Sequence, residues 1–498
     1  MRYTPINSWL KKSSSRPKLL LILALASGFS TACLSQRFIE VPKDHQQAFL
    51  FGVEQAQKGR HALSAKAAWQ YFKNTDEEDP RYDRVLRLLA RNAEALGLNY
   101  AASAWYLQIA QGRRDVELIP EALNGLRTII ESGIFDEDAL VKRYLAVEEF
   151  STMGAELDSF IHYHQGLHNL RQGQERWASR RLKQIHPRSF YRFKAQYIMA
   201  VRQVALGQLA KAQRSFEKLA KRIDQQSDQE LYSDLWRDSK TSLARLAMQK
   251  SDYQSALSLF EEVRERVPDD PSLLLEIAWA HFKKGSPRRA LGFLLALDAP
   301  IYQALIAPER YILEAMTYRA LCQFGPARQA AVRLSTRYKQ ALSDLYDGVI
   351  PEQSKALRAA AGQRGELRSL SKFIDSLAHE KAIIKETSAV FGPQFTQALT
   401  KLYAQGKASA LARRERALRN EISILTEELL SAEEGVRLIT HELGVALLRG
   451  RKPPQGRGPI PPLGALAQPE QVVYQFNGEF WTDELDELVV AAEDRCID

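Results

Sequence analysis

Small and bulky apolar residues recur along the chain with a period near 34 residues. Each period has a small residue that is followed by an alanine twelve positions later; the pairs are Gly166 and Ala178, Ala200 and Ala212, Ala244 and Ala256, Ala278 and Ala290, and Ala315 and Ala327. A bulky apolar residue lies four positions further on in four periods, at Leu182, Phe216, Phe260 and Leu294. This pattern predicts pairs of amphipathic helices that stack into an α-solenoid.

The clearest period predicts two helices joined by a tight turn. Residues 273–284 form the first helix, Gly285 lies in the turn, and the second helix begins at Arg288. Small residues at Ala278 and Ala290 let the two backbones approach, and glycine tolerates the positive φ that such a turn requires. Similar but weaker periods begin near Asp44.

This arrangement resembles the tetratricopeptide repeat family, whose small residues stand where this chain has Ala278, Gly285 and Ala290. The resemblance implies a solenoid over residues 33–339, with irregular helices around residues 115–158. Solenoids of this family present binding surfaces, so we expect a scaffold and not an enzyme.

A seven-residue period replaces the longer one beyond Tyr338. The apolar positions are Leu411, Leu418, Leu425, Ala432, Ile439 and Ala446, interleaved with Ile422, Leu429, Val436 and Leu443. Sustained a and d positions predict a coiled coil within residues 340–452. A preceding arm ends at Phe391-Gly392-Pro393, and Gly406 predicts a further helix break. The two arms either fold into a helical hairpin, which we favour, or dimerise in parallel and self-associate.

A linker and a short tail follow the heptads. Residues 453–471 are rich in proline and glycine, which is typical of a linker without a packed core. Residues 472–498 form an aromatic and acidic segment that docks either on the chain's own solenoid or on another protein; the candidate docking residues are Tyr474, Phe476, Glu479, Trp481, Asp483 and Glu484. The segment resembles the closing part of repeat-containing envelope proteins from the delta-proteobacterial and myxobacterial lineage.

The N-terminus carries the three parts of a secretory signal over residues 1–32: basic residues, a short apolar run and the small residues Ser30-Thr31-Ala32. Because these small residues end at Cys33, the segment resembles a bacterial lipoprotein signal, in which the cysteine is acylated. That family prefers leucine where this chain has Ser30, so soluble export and an uncleaved membrane anchor remain alternatives. Leu34 after the cysteine favours the outer membrane, and the expected location is therefore periplasmic and lipid-anchored.

The net charge bears on the expected partners, and the cysteines bear on a possible disulfide. The net charge of +9 includes basic residues of the signal, so it is weak support for nucleic-acid binding, and we expect no nucleic-acid partner. In an oxidising compartment Cys322 and Cys496 either pair and strap the tail onto the last repeat, or stay a buried thiol and a free thiol.

The chain carries little that indicates catalysis. His164 and His168 have the spacing of two metal ligands on a helix, but surface histidines are the simpler interpretation, so we predict no metal and no cofactor. Phosphate-binding loops and nucleophile elbows are absent from the sequence.

The inner surface of the solenoid is therefore the candidate site. Counting from the small residues gives these candidate contacts: Tyr163, Arg171, Lys194, Tyr197, Asp238, Arg245, Trp279 and Arg319. Aromatic and arginine side chains are favoured at protein interfaces. We expect an envelope scaffold that binds other envelope proteins in a motility, secretion or outer-membrane assembly machine. The alternative is a lipoprotein regulator of a peptidoglycan synthase or hydrolase.

Overall fold

The computed structural model describes several stretches of the chain. They are residues 40–132, 140, 144–146, 148–268, 270–299, 302, 307–362, 364, 366–448, 485 and 488–496. Within these stretches the structure has nineteen α-helices and no β-strand. The all-α fold class expected from the repeat is confirmed.

The chain divides into two compact units. The first unit comprises residues 1–168 and 370–412, and the second comprises residues 169–369 and 413–498.

The first unit begins with helices that each pack on the one before. They are α1 (His45–Gln57), α2 (His61–Phe72), α3 (Tyr82–Ala95), α4 (Asn99–Gly112) and α5 (Ile119–Glu131), followed by α6 (Ala155–Arg171). A 3₁₀ turn, Val116–Leu118, leads into α5. Gly59 and Gly97 end α1 and α3 with positive φ angles of 71° and 75°, a conformation that favours glycine.

The second unit continues the alternation of helices. They are α7 (Glu175–Gln184), α8 (Phe190–Ala205), α9 (Leu209–Ile223), α10 (Gln229–Gln249), α11 (Tyr253–Arg266), α12 (Pro271–Lys283), α13 (Pro287–Ala296), α14 (Glu309–Ala320), α15 (Phe324–Arg337), α16 (Lys339–Tyr346) and α17 (Lys355–Ala361). The alanines of the repeat are buried where neighbouring helices meet, because only a small side chain allows that approach.

Two longer helices complete the fold, α18 (Glu366–Phe391) and α19 (Pro393–Leu448). They join at Gly392, whose φ of 78° reverses the chain. In the first unit, the hydroxyl of Tyr403 in α19 donates a hydrogen bond to the Glu380 carboxylate in α18, which places the two helices side by side. They form the hairpin that the sequence favours.

The helix break predicted at Gly406 was wrong, because α19 runs through this residue without interruption. The ring of Tyr100 in α4 lies directly against Gly406, in the space that a β-carbon would occupy. Glycine is therefore needed here for close packing and not for a turn.

The heptad positions of α19 from Leu418 to Leu443 are buried against the solenoid helices of the second unit, whereas the predicted position Leu411 is exposed. Leu418, Ile422, Leu425, Leu429 and Val436 lie in one apolar cluster with side chains from α14 to α18. That cluster includes the following partners: Tyr311, Leu334, Tyr338, Leu342, Leu357 and Leu367. Ile439 and Leu443 continue the seam against the small residues Ala315, Ala327 and Ala330. The seven-residue period thus describes one face of α19 that is buried within its own chain.

A buried carboxylate ties the hairpin to α4 in the first unit. The first turn of α4 has no side-chain cap of its own. Instead, the backbone N–H of Tyr100 donates to Glu380 with a distance of 3.0 Å between nitrogen and oxygen. Burial raises the pKa of the Glu380 carboxyl above its usual value, although the hydrogen bond from Tyr403 opposes this shift. The favourable position of an acid at a helix N-terminus compensates for part of its burial.

We expect Gly406→Ala to destabilise the protein and Gly444→Ala, in the same helix, to stabilise it. A β-carbon at residue 406 would overlap the Tyr100 ring and cost about 1–3 kcal/mol. At residue 444 no atom lies within 4 Å of such a carbon, so alanine should add about 0.5–1 kcal/mol through its helix propensity. Denaturant unfolding of the two variants measures both free energies. Equal shifts of the same sign would contradict the packing of Gly406 against Tyr100.

We expect the stability of the second unit to fall as the pH is lowered from about 6.5 to about 4. Burial against Phe293 lowers the pKa of His281 from 6.5 to about 4, so the folded state binds this proton more weakly than the unfolded state. The contribution is fully present above pH 6.5 and amounts to at most about 3 kcal/mol. Measuring the free energy of unfolding against pH should show a shallower acid slope in His281→Leu. Identical slopes in the two proteins would contradict a neutral buried histidine.

Candidate protein-binding surface

The predicted groove residues of the second unit lie on the first helix of successive pairs. Arg245 of α10 and Glu276 of α12 connect two such helices through paired hydrogen bonds, Nε to Oε2 at 2.8 Å and Nη2 to Oε1 at 2.6 Å. The Glu276 carboxylate raises the pKa of the Arg245 guanidinium, chiefly through this hydrogen bond. The Arg245 side chain nevertheless remains 62% exposed. A rigid, accessible guanidinium of this kind suits recognition of another protein.

The neighbouring candidates are a mixture of charged and aromatic side chains. Asp238 accepts hydrogen bonds of 3.1 Å from Nε and Nη2 of Arg237 beside it. The Lys194 ammonium lies 4.8 Å from the centre of the Phe190 ring. Tyr197 is half-buried and packs on Phe216 with 5.7 Å between ring centres. These residues give the surface charges of both signs around an apolar base.

Two aromatic candidates contribute more to packing than to an open surface. Tyr163 is buried in α6, which belongs to the first unit up to residue 168. Its proposed role as an accessible contact is therefore wrong, because its apolar ring is enclosed by the fold. Trp279 is half-buried, and its ring contacts that of Phe282 at 5.9 Å in an edge-on arrangement.

The remaining predicted contacts are Arg171 and Arg319. Arg171 is exposed at the end of α6. Arg319 pairs with Glu442 of α19, with Nη1 and Oε2 separated by 2.7 Å. At α14 the surface is therefore lined by the chain's own long helix. The accessible stretch that remains within the second unit runs over α8, α10 and α12.

A groove that the sequence did not reveal lies between the ends of α9 and α11 and the start of α10. Its volume is about 650 Å³. The lining residues are Asp224, Gln229, Glu230, Ser233, Trp236, Lys240, Glu262 and Arg266. The Arg266 guanidinium stacks 3.7 Å from the centre of the Trp236 ring. In the sequence, residues 229, 233, 236 and 240 recur at helical spacing and therefore share one face of α10. The fold is needed to show which other helices enclose the groove.

The described residues of the C-terminal segment, 485 and 488–496, lie on the last repeat of the second unit. Leu485 is fully buried in an apolar cluster of the second unit that includes Phe293 and Leu321, and Ala492 is buried in the same cluster. Nη1 of Arg289 donates to the backbone oxygens of Leu485 and Leu488 at 3.3 and 3.2 Å. Cys322 and Cys496 form a disulfide with their Cα atoms 5.1 Å apart. Residues 485 and 488–496, named here the strap, are thus held by apolar, polar and covalent contacts.

Several predicted residues lie outside the described stretches. They are Cys33 of the lipoprotein signal and the tail residues Tyr474, Phe476, Glu479, Trp481, Asp483 and Glu484. Their proposed roles in acylation and docking remain predictions.

The two histidines considered as metal ligands, His164 and His168, lie on α6. His164 is buried against Phe160, with 4.6 Å between ring centres, so the expectation of a surface histidine at this position was wrong. In the described part of the chain, no three His, Cys, Asp or Glu side chains are grouped to hold a metal ion. Among the helices described, none is long and apolar enough to cross a membrane.

We expect loss of the disulfide to release the strap. In Cys496→Ser, the backbone N–H of Arg495, which donates to the oxygen of Leu321 at 3.0 Å, should exchange with solvent faster. The bond closes a loop between residues 174 positions apart, so its loss should destabilise the protein by about 2–4 kcal/mol. Hydrogen exchange measured with and without reductant tests this. Cys322→Ser is the matched control and should behave identically, whereas unchanged exchange in both variants would contradict a strap held by the disulfide.

Comparison with known proteins finds a family match in part of the repeat region. The tetratricopeptide repeat model matches residues 247–307, which include α11, α12 and α13. This is the part of the chain that carries Ala256, Ala278 and Ala290. No curated protein sequence matches the chain.

Two solved structures are similar to the chain at low sequence identity. A tetratricopeptide repeat protein from Parabacteroides merdae is 13% identical, with a TM-score of 0.25 over 58% of this chain and 91% of that chain. Human IFIT1, solved as a dimer with PPP-AAAA, is 15% identical, with a TM-score of 0.31 over 78% of this chain and 93% of that chain. The family match makes residues 247–307 similar to a tetratricopeptide repeat, and these residues include the helix pair α12 and α13 of the all-α second unit.

Proposed function

We propose that this protein is an envelope-anchored scaffold that binds other proteins within a multiprotein machine of the cell envelope. The observation that carries the proposal is the accessible surface of α8, α10 and α12, centred on the Arg245–Glu276 pair. Glu276 of this pair lies within the matched repeat segment, residues 247–307. Repeat solenoids bind extended or helical segments of their partners along such first-helix surfaces.

The chemistry of this surface indicates the kind of segment it takes. Lys194, Arg245 and Asp238 place both signs of charge along it, while Tyr197 and Trp279 offer half-buried rings. A partner segment that alternates charged and apolar side chains would complement this arrangement. Because Arg245 and Glu276 already satisfy one another, a partner must offer hydrogen-bonding groups to both when it separates or covers them.

The location in the envelope rests on the sequence of the N-terminus. The basic residues, the apolar run and Cys33 favour export followed by acylation. Leu34 favours the outer membrane. The resemblance of the tail to myxobacterial envelope proteins favours a motility machine, including gliding, over secretion or outer-membrane assembly.

We expect in-cell crosslinking and affinity capture of the full chain to recover a stable set of envelope proteins. In Cys33→Ala the same set should be lost or moved to the soluble fraction, because the anchor that concentrates the scaffold at the membrane is removed. Recovery of a single wall enzyme, with altered muropeptides on deletion, would instead support the regulator of peptidoglycan synthesis or hydrolysis.

The binding surface is tested by a double variant and a matched control. Arg245→Ala with Glu276→Ala should reduce capture of at least one partner about tenfold or more, as expected when a central arginine contact is lost. Lys58→Ala with Glu54→Ala removes a comparable exposed pair from α1 and should leave that capture unchanged. Unchanged capture in both variants would place the partner elsewhere on the chain.

A further inference from the structure

Positive charge is concentrated in one part of the second unit. Residues 169–223 contain fourteen Lys and Arg residues but only two acidic residues, Glu175 and Glu217. Since the whole chain has a net charge of +9, the remaining sequence is on balance negative. This local excess is therefore a property of α7, α8 and α9 and not of the protein in general.

The cations of α7 lie on its outward face. Ala178 and Leu182 are the buried positions of this helix. Arg176, Arg180 and Lys183 are exposed and fall on the opposite side at 100° per residue. They form one stripe along the helix.

The cations of α9 form a second outward stripe. Lys211, Arg214, Lys218 and Lys221 are exposed, on the face opposite the buried Phe216. Both helices contact α8. Arg192 of α8 donates to the backbone oxygen of Leu182 at 2.9 Å, and Arg222 of α9 donates to the Gln196 side chain at 2.6 Å. The seven exposed cations of α7 and α9 are named here the basic surface.

The basic surface lacks internal neutralisation. Across the residues that the structure describes, none of its seven cations has a carboxylate within ion-pairing distance. Arginines elsewhere in the unit behave differently: Arg358 pairs with Glu415 at 2.8 Å, and Arg364 pairs with Glu428 at 2.7 Å. A set of like charges without partners repels itself, so an external anion would be attracted over the whole set.

We propose that the basic surface docks on an anionic lipid bilayer. The cations point outward from two helices and do not converge on a cavity, which suits an extended anionic surface better than a folded peptide. Trp177 adds a second feature, since its indole is 55% exposed beside Arg180, whose guanidinium lies 6.0 Å from the ring. Tryptophan among cations is favoured at the boundary between water and lipid.

The choice of a bilayer over a nucleic acid or an acidic protein rests on the exported, membrane-proximal location proposed above. Each cation near an anionic membrane strengthens binding about fivefold. Several cations acting together would hold the second unit against the membrane even where a lipid anchor at the N-terminus only tethers the chain. Two independent signals of this kind are what stable membrane association requires.

The test compares binding of the full chain to neutral phosphatidylcholine vesicles and to vesicles containing 30% phosphatidylglycerol. The test variant replaces two cations on each helix: Arg176→Gln, Arg180→Gln, Lys211→Gln and Lys218→Gln. The control variant removes the same charge from exposed positions elsewhere in the unit: Arg328→Gln, Lys339→Gln, Lys355→Gln and Arg416→Gln. Any contribution of the N-terminus is common to all three proteins.

We expect the wild type and the control to prefer anionic vesicles, and the test variant to lose this preference by about 100-fold. Raising the salt concentration from about 0.05 M to 1 M should release the wild type from anionic vesicles, which checks the proposal without any substitution. Equal losses in both variants would show an effect of net charge only and would overturn the proposal. An unchanged preference in the test variant would also overturn the proposal. The same holds if the four residues are needed for capture of an acidic protein or a nucleic acid and not for vesicle binding. Partner capture through Arg245 is independent of each of these outcomes.

Discussion

The burial of one face of α19 is the interaction on which each unit depends. A helical repeat cannot bury its apolar face alone, and the ends of a solenoid need a cover. In the first unit this cover includes Phe395, whose ring stacks on Trp69 of α2 at 5.1 Å, and Tyr403, which reaches Glu380. In the second unit Ile422 and Leu429 fill the cluster formed by α14 to α17. The long helix thus supplies apolar contacts that further repeats would otherwise provide.

Ionic contacts fix how these helices meet. Arg310 is almost fully buried in the second unit, where it contacts Asp298 and Glu314 and donates to the backbone oxygen of Leu294 at 3.0 Å. Arg333 also pairs with Glu314. Such a group is a weak source of net stability, but removing one partner leaves an uncompensated buried charge. The network therefore penalises other packings of α13, α14 and α15 more than it stabilises the observed one.

The sequence was sufficient for the fold class because the repeat is local. Ala278, Gly285 and Ala290 define a helix pair within about twenty residues, and the structure buries both alanines as predicted. The period of seven likewise marked the buried face of α19, since Leu418, Ile422 and Leu425 all lie in a core cluster. The period does not show which residues that face packs against. The contacts to Tyr311 and Leu334 span about a hundred residues, and no local pattern encodes them.

The site was less predictable for the same reason. Arg245 and Arg319 were both predicted contacts on first helices of the repeat, yet one pairs with a neighbouring repeat and the other with α19. The predictions for Tyr163 and Gly406 were wrong because an aromatic ring can be a surface contact or a core residue, and a glycine can end a helix or allow close packing. Only long-range packing selects between these roles. The unpaired cations of α7 and α9 were visible in the composition of residues 169–223. Their outward placement and lack of carboxylate partners required the structure.

The disulfide between Cys322 and Cys496 also sets an order of events during biogenesis. The residues between the two cysteines include α15 to α19, so all five helices must be synthesised before the bond can close. Disulfides form in oxidising compartments, so the proposed export would precede this step. Until then, the strap has no covalent link to the last repeat, and the Cys322 thiol can react with other oxidants. In the exported protein proposed above, completion of this part of the fold would be coupled to completion of export, and the state of a single bond would distinguish a finished molecule from a partly translocated one.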